Sequence, residues 1–80
     1  MERKPVELAA GITADPSVRF GRPVIRGTRV PANIIVGRIA SGVSVQAVAE
    51  EYDITEEDVF NALRYAAKRL TEENVWVTSG

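Results

Sequence analysis

Ten residues, Arg22–Pro31 (Arg-Pro-Val-Ile-Arg-Gly-Thr-Arg-Val-Pro), limit what this chain can fold into. Proline has no N–H and a fixed φ, so it suits the start of a helix and pushes the residue before it, Val30, toward extended geometry. Extended or irregular backbone is therefore expected up to Val30, and helix after it. The same stretch sets Arg22, Arg26 and Arg29 around Gly27, in a chain of net charge −1. Arginines so dense in a nearly neutral chain either tie the fold together or meet a partner.

The chain has 80 residues, a single-domain length. A domain this small buries roughly 60–65% of the surface its unfolded form exposes, which leaves its stability thin. With no cysteine, neither a disulfide nor a thiolate metal site can add to it, and a homodimer is the expected support. No apolar run reaches membrane-spanning length, and Met1–Pro5 lacks a hydrophobic signal core. The expectation is a soluble cytoplasmic protein. Its charge is uneven: from Met1 to Ala49 seven Lys/Arg stand against three acids, and from Glu50 to Gly80 three against eight. A basic front and an acidic back can pair within one molecule or between two copies.

Met1–Ala10 has no clear period, and its end is expected to fray. Asp15-Pro16-Ser17 reads as a turn, because Asp bonds its own backbone and Pro fixes φ. The apolar residues Val18, Phe20, Val24 and Ile25 flank Gly21-Arg22-Pro23, which predicts a two-stranded ribbon with Val24–Val30 as its better strand. After Pro31, Ile34, Ile35 and Ile39 give a helical stripe that Val36 and Ala40 widen. Gly37 inside it is expected to admit another backbone, and Ser41-Gly42 to end it. Ser44 caps a second helix with Val45, Val48, Ala49 and Tyr52 on one face. Thr55 with Asp58 makes a capping box for the longest helix, which runs to about Glu72 on a stripe of Val59, Leu63, Ala66 and Leu70. Ala62 and Ala67 flank that stripe, and Phe60 lies off its centre. Asn74-Val75-Trp76-Val77 predicts a short C-terminal strand. The chain as a whole reads as mainly α, one domain over 1–80 with a β-ribbon at its front.

Two constellations carry functional meaning. The second and third helices are joined by a connection short enough for a helix-turn-helix. In that motif the N-terminal turn of the second helix enters the major groove. Here that turn is Thr55-Glu56-Glu57-Asp58, whose carboxylates would face one phosphate charge per roughly 1.7 Å of duplex axis. Asn61, Arg64 and Lys68 share an exposed helical face further along and could touch the DNA backbone. The other constellation is Arg19, Arg22, Arg26, Arg29 and Arg38, whose guanidinium forks suit carboxylates or phosphates. They can pair with the chain's own acids, with DNA (Arg19 and Arg26) or with an acidic partner protein (Arg22, Arg26 and Arg29, with Trp76 as apolar anchor). Regular alternation would put Arg26 and Arg29 on opposite sides of a strand unless Gly27 marks a bulge.

No histidine, cysteine or glycine-rich phosphate loop is present. The commonest general base, the thiol nucleophile and most zinc sites are thus missing. We expect no enzyme, no metal, no cofactor and no small-molecule substrate.

A wider pattern runs through these residues: an Asp15-Pro16 turn, then Gly-Arg-Pro-Val-Ile-Arg-Gly-Thr-Arg-Val over 21–30, then an aliphatic helix ending in Ser41-Gly42-Val43-Ser44. Ala49-Glu50-Glu51-Tyr52, Thr55–Val59 and Ala62-Leu63-Arg64-Tyr65-Ala66 complete it. The succession closely resembles the bacterial and archaeal family catalogued as domain of unknown function 433, over about Ile12 to Ala67. Val24–Val30 is the most specific part, and 68–80 lies beyond as helix end and extension. The resemblance implies a homeodomain-like three-helix fold with a helix-turn-helix. Members are often encoded beside PIN-like ribonuclease-type proteins, which implies the antitoxin half of a toxin–antitoxin pair. Phe20 stands where the family usually has the first of two glycines, Arg22 where lysine is common, and Asp53 where proline is frequent. The expected role is an antitoxin whose Arg22, Arg26 or Arg29 enters the carboxylate-rich centre of a PIN-like toxin. The alternatives are a DNA-binding autorepressor and a structural homodimer whose arginines pair only with its own acids.

Overall fold

The computed structural model describes residues 4–73. A three-stranded antiparallel sheet of order β1-β2-β3 (β1 Val6–Ala9, β2 Ile12–Ala14, β3 Val24–Ile25) precedes α1 (Ala32–Ala40), α2 (Val45–Tyr52) and α3 (Glu56–Glu72). The described part is thus mainly helical, with a small sheet at its front, as expected. Within the Met1–Ala10 stretch, which shows no clear period, lies the edge strand β1, paired Val6 to Ala14 and Glu7 to Thr13 with a register shift before Ala9. The first three residues, where fraying is expected, lie outside the described residues. Val6-Glu7-Leu8-Ala9 is too short a run to announce a strand by its period, and pairing with β2 creates it. The expected C-terminal strand at 74–77 lies outside the described residues.

The expected long strand Val24–Val30 is also corrected. Only Val24 and Ile25 pair with β2, as Thr13 to Val24 and Ile12 to Ile25. The chain then turns: Thr28 N–H donates to the Ile25 carbonyl at 3.0 Å, and Ile25 N–H to the Val30 carbonyl at 2.9 Å. Gly27, at the third position of that turn, has φ 75°, which glycine adopts without strain. The Thr28 hydroxyl completes the loop, donating to the Ile25 carbonyl (2.8 Å) and accepting from Val30 N–H (3.0 Å). Nor does the ribbon's other strand lie at Val18–Phe20; it lies at Ile12–Ala14.

Local chemistry sets the helices where the sequence placed them. Pro31 is the N-cap of α1, and Ala32 N–H donates to the Pro23 carbonyl at 3.0 Å, pinning the helix start to the end of the loop before β3. At the other end Gly42, with φ 97°, donates to the Ile39 carbonyl and Val43 to the Arg38 carbonyl. That pair of bonds is a Schellman closure. Asp53 (φ 55°) takes the same left-handed conformation after α2. Ser44 Oγ accepts from Ala47 N–H at 3.1 Å. Thr55 and Asp58 form the expected capping box, each side chain accepting from the other's N–H at 3.0 Å.

The sheet and helices close on Ile12, Ile25, Ala32, Ile35, Val48, Ala49, Val59 and Ala62, all buried. Among the described residues no charged side chain is buried. Two stripes differ from expectation. In α1 the buried line is Ala32 and Ile35, while Ile34 is 40% exposed. In α3 Ala62, expected at the flank, is central, and Leu70 is 67% exposed. Gly37 admits no second backbone: no atom would meet a Cβ there within 4 Å.

The glycine that close packing does require is Gly11, at the β1–β2 turn with φ 76°. A Cβ there would overlap the amide end of Asn61 and lie 2.9 Å from its Cγ. Gly11→Ala is expected to lower stability in urea unfolding by about 2–4 kcal/mol, combining left-handed strain with overpacking. Adding Asn61→Ala should recover the overpacking share only. Full recovery would show that φ at residue 11 costs nothing.

Candidate partner-binding surface

The arginines of the β2-to-α1 segment sit on two tight connections built by hydrogen bonding. In the first, Asp15 Oδ1 accepts from Ser17 N–H (2.8 Å) and Ser17 Oγ (2.7 Å), and Val18 N–H donates to the Asp15 carbonyl. The expected Asp-Pro turn is therefore present. Two further turns follow, Gly21 N–H to the Val18 carbonyl (3.0 Å) and Arg22 N–H to the Arg19 carbonyl (3.1 Å). Through them Arg19, Phe20 and Gly21 all have positive φ, at 51°, 58° and 79°. A left-handed residue with a Cβ costs roughly 1–2 kcal/mol, so only Gly21 adopts this freely. Phe20, at the centre, is 98% exposed. Sequence periodicity could not find this: Phe20 reads there as a ribbon residue.

The second connection, Arg26–Val30, carries Arg26 and Arg29. Arg26 bonds the Glu7 carboxylate on β1, and its N–H donates to the Gly11 carbonyl at 2.9 Å. Arg38 on α1 forks onto Glu51 of α2, Nε to Oε1 at 3.0 Å and Nη2 to Oε2 at 3.2 Å. Two of the five arginines are thus engaged within the fold, and one of these pairs joins the basic front to the acidic back. Arg19, Arg22 and Arg29 are exposed and make no ion pair among the described residues.

Arg22 and Arg29 each border a cleft. Arg22 lies with Pro23, Ala32, Val36, Tyr65 and Leu70 around an apolar groove of about 480 Å³ between α1 and α3. Arg29 lies with Asp15, Val18 and Val24 around a smaller one of about 260 Å³. The segment does not gather its arginines at one point.

The face proposed from sequence for DNA is differently arranged. Asn61, on the same side of α3 as Arg64, is half-buried against the Gly11 turn. Arg64 is held by Glu57 (3.0 Å) and by Asn61 Oδ1 (2.7 Å), with its guanidinium 5.9 Å from the centre of the Phe60 ring. Phe60 is 42% exposed beneath it. Lys68 is exposed, and Trp76 lies outside the described residues. Among the described residues no group of three His, Cys, Asp or Glu is placed to hold a metal ion, and no helix is long and apolar enough to cross a membrane.

The sequence profile of a family described as "Protein of unknown function (DUF433)" matches residues 12–66, from β2 through most of α3. The chain belongs to that family. A relative from Mycobacterium tuberculosis, named "Putative antitoxin VapB45", is 33% identical over 63 residues, covering 79% of this chain and 26% of its own length. The crystal structure of Rv2018 from the same organism superposes with a TM-score of 0.62 at 33% identity, over 68% of this chain and 25% of that one. The chain therefore spans about a quarter of the length of each.

The first connection has a titratable signature. Its two bonds from Ser17, side chain first and backbone second, hold the Asp15 carboxyl below its ordinary value. A depressed folded pKa adds stability that is present above the unfolded value and lost as pH falls through the folded one. Ser17→Ala should raise the Asp15 pKa in an NMR titration and move the acid limb of the stability curve to higher pH. An unmoved Asp15 would mean that the turn is held by other contacts.

Proposed function

We propose that this chain is an antitoxin that binds and neutralises a PIN-like ribonuclease toxin, using arginines of the β2-to-α1 segment. The observation that carries this is that Arg19, Arg22 and Arg29 are exposed without an ion pair among the described residues, while Arg26 and Arg38 are engaged. The name of the VapB45 relative supports the same role. A metal-dependent nuclease concentrates carboxylates at its centre, and a guanidinium fork can occupy that centre in place of the metal. Arg22 and Arg29 are the better candidates, because Arg26 must first release Glu7. Trp76 would add an apolar anchor to the contact. Residues 1–80 would act as one domain, paired as a homodimer in the cytoplasm.

Replacing Arg22, Arg26 and Arg29 together by alanine is expected to weaken toxin binding about a hundredfold in calorimetry and to restore ribonuclease activity in the mixture. The single Arg26→Ala should do least. Unchanged binding by the triple variant would refute this mechanism.

One observation favours a second reading, a homeodomain-like helix-turn-helix that binds DNA as an autorepressor. Only Asp53-Ile54-Thr55 separates α2 from α3, with Asp53 left-handed as such a turn requires. Against it, the first turn of α3 holds Glu56, Glu57 and Asp58, with Asp58 committed to the cap. Contact through Arg19, Arg26, Arg64 and Lys68 would be to phosphates, so binding should fall steeply between 50 and 200 mM salt. Mobility unaffected by the gene's own upstream duplex would exclude this role.

A further inference from the structure

The three consecutive positive-φ residues at Arg19–Gly21 raise a question that the arginine mechanism does not answer. Folding alone would favour glycine at position 20, where φ is 58° and ψ 32°. The chain instead places there a phenyl ring that is 98% exposed and has no part in the core. Backbone strain of this kind persists only where surrounding bonds over-determine it. Here the Asp15 turn before it and the Arg22 N–H bond after it do so. The ring is thus held outward on a braced support rather than on a loose loop.

We propose that Phe20 is the aromatic anchor of the toxin interface, seating in an apolar pocket of the toxin whose rim carries carboxylates. The ring supplies the pocket contact: an exposed aromatic with two rotatable bonds offers large buried area at small entropic cost, which is why such residues dominate interface energetics. The rim follows from charge. Arg19 and Arg22 flank Phe20 along the chain and make no ion pair among the described residues. The nearest acid in the turn, Asp15, is already satisfied by Ser17. An apolar pocket edged by carboxylates meets both features at once. Bracing matters too, since a side chain held in its bound position loses little freedom on docking. Phosphate-lined DNA would satisfy the arginines but offers no preformed apolar pocket to the ring.

This inference rests on the antitoxin reading, and the test separates the two. Purified toxin from the same operon would be titrated with the wild-type chain, Phe20→Gly and Phe20→Trp, with thermal midpoints of the free chains measured alongside. Phe20→Gly should raise the midpoint by about 4–8 °C, because it relieves the left-handed conformation. It should also weaken toxin binding about thirtyfold. Phe20→Trp should bind within about threefold of wild type. Opposite signs for stability and binding are what a purely structural role cannot produce. A lowered midpoint for Phe20→Gly would overturn the proposal by making Phe20 a fold residue. Undiminished toxin binding would overturn it while leaving the antitoxin role in place. A wild-type chain that does not bind the toxin would remove both. Loss confined to duplex DNA binding, or to a homodimer seen by sedimentation, would also overturn it and assign the ring to that other surface.

Discussion

Everything that positions the basic segment depends on Ile12 lying opposite Ile25. The two face each other across β2 and β3, and both are fully buried with Ile35, Val48 and Val59. Fully burying an aliphatic side chain contributes roughly 1.5–3 kcal/mol, so this small set provides a large share of what an 80-residue chain can have. It also fastens a sheet too small to stand alone onto the helices. The β2–β3 pairing leaves two connections on either side of β3, Asp15–Pro23 and Arg26–Val30. Each returns to a fixed strand end, which turns otherwise free loops into braced ones. The arginines are presented by the core, although none belongs to it.

Charge divides along the same line. The acids that open α3 complement the helix dipole, and Asp58 closes the capping box. Exposed ion pairs such as Arg26–Glu7 and Arg38–Glu51 add little to stability, on the order of 0–1 kcal/mol each. Folding therefore makes no demand for arginine at Arg19, Arg22 or Arg29. Their charge is surplus to the fold, as is the ring of Phe20, and surplus chemistry on a rigid support is what a partner can read.

The helices were legible because short-range chemistry wrote them. Pro31, Ser44 and the Thr55–Asp58 pair mark starts, Gly42 and Asp53 mark ends, and the structure uses each one. The sheet was not, because strand pairing is a long-range choice. β1 has two exposed residues and no strong pattern, and only its partner makes it a strand. Val24–Val30 looked like one strand until the Thr28 hydroxyl and the left-handed Gly27 turned it at Ile25. At the surface, the segment's composition was readable but the state of each side chain was not. No spacing rule pairs Arg26 with Glu7, tucks Asn61 under Gly11, or holds Phe20 outward against its backbone preference.

In the proposed toxin complex a braced, basic turn region, rather than the acidic entry of α3, meets the partner. Amide hydrogen exchange of the free chain compared with its toxin complex tests this directly, since it reports protection residue by residue. Strong added protection is expected over residues 17–30, with Thr55–Asp58 unchanged. Protection concentrated on Thr55–Asp58, with the Arg19–Arg29 amides exchanging as in the free chain, would contradict it.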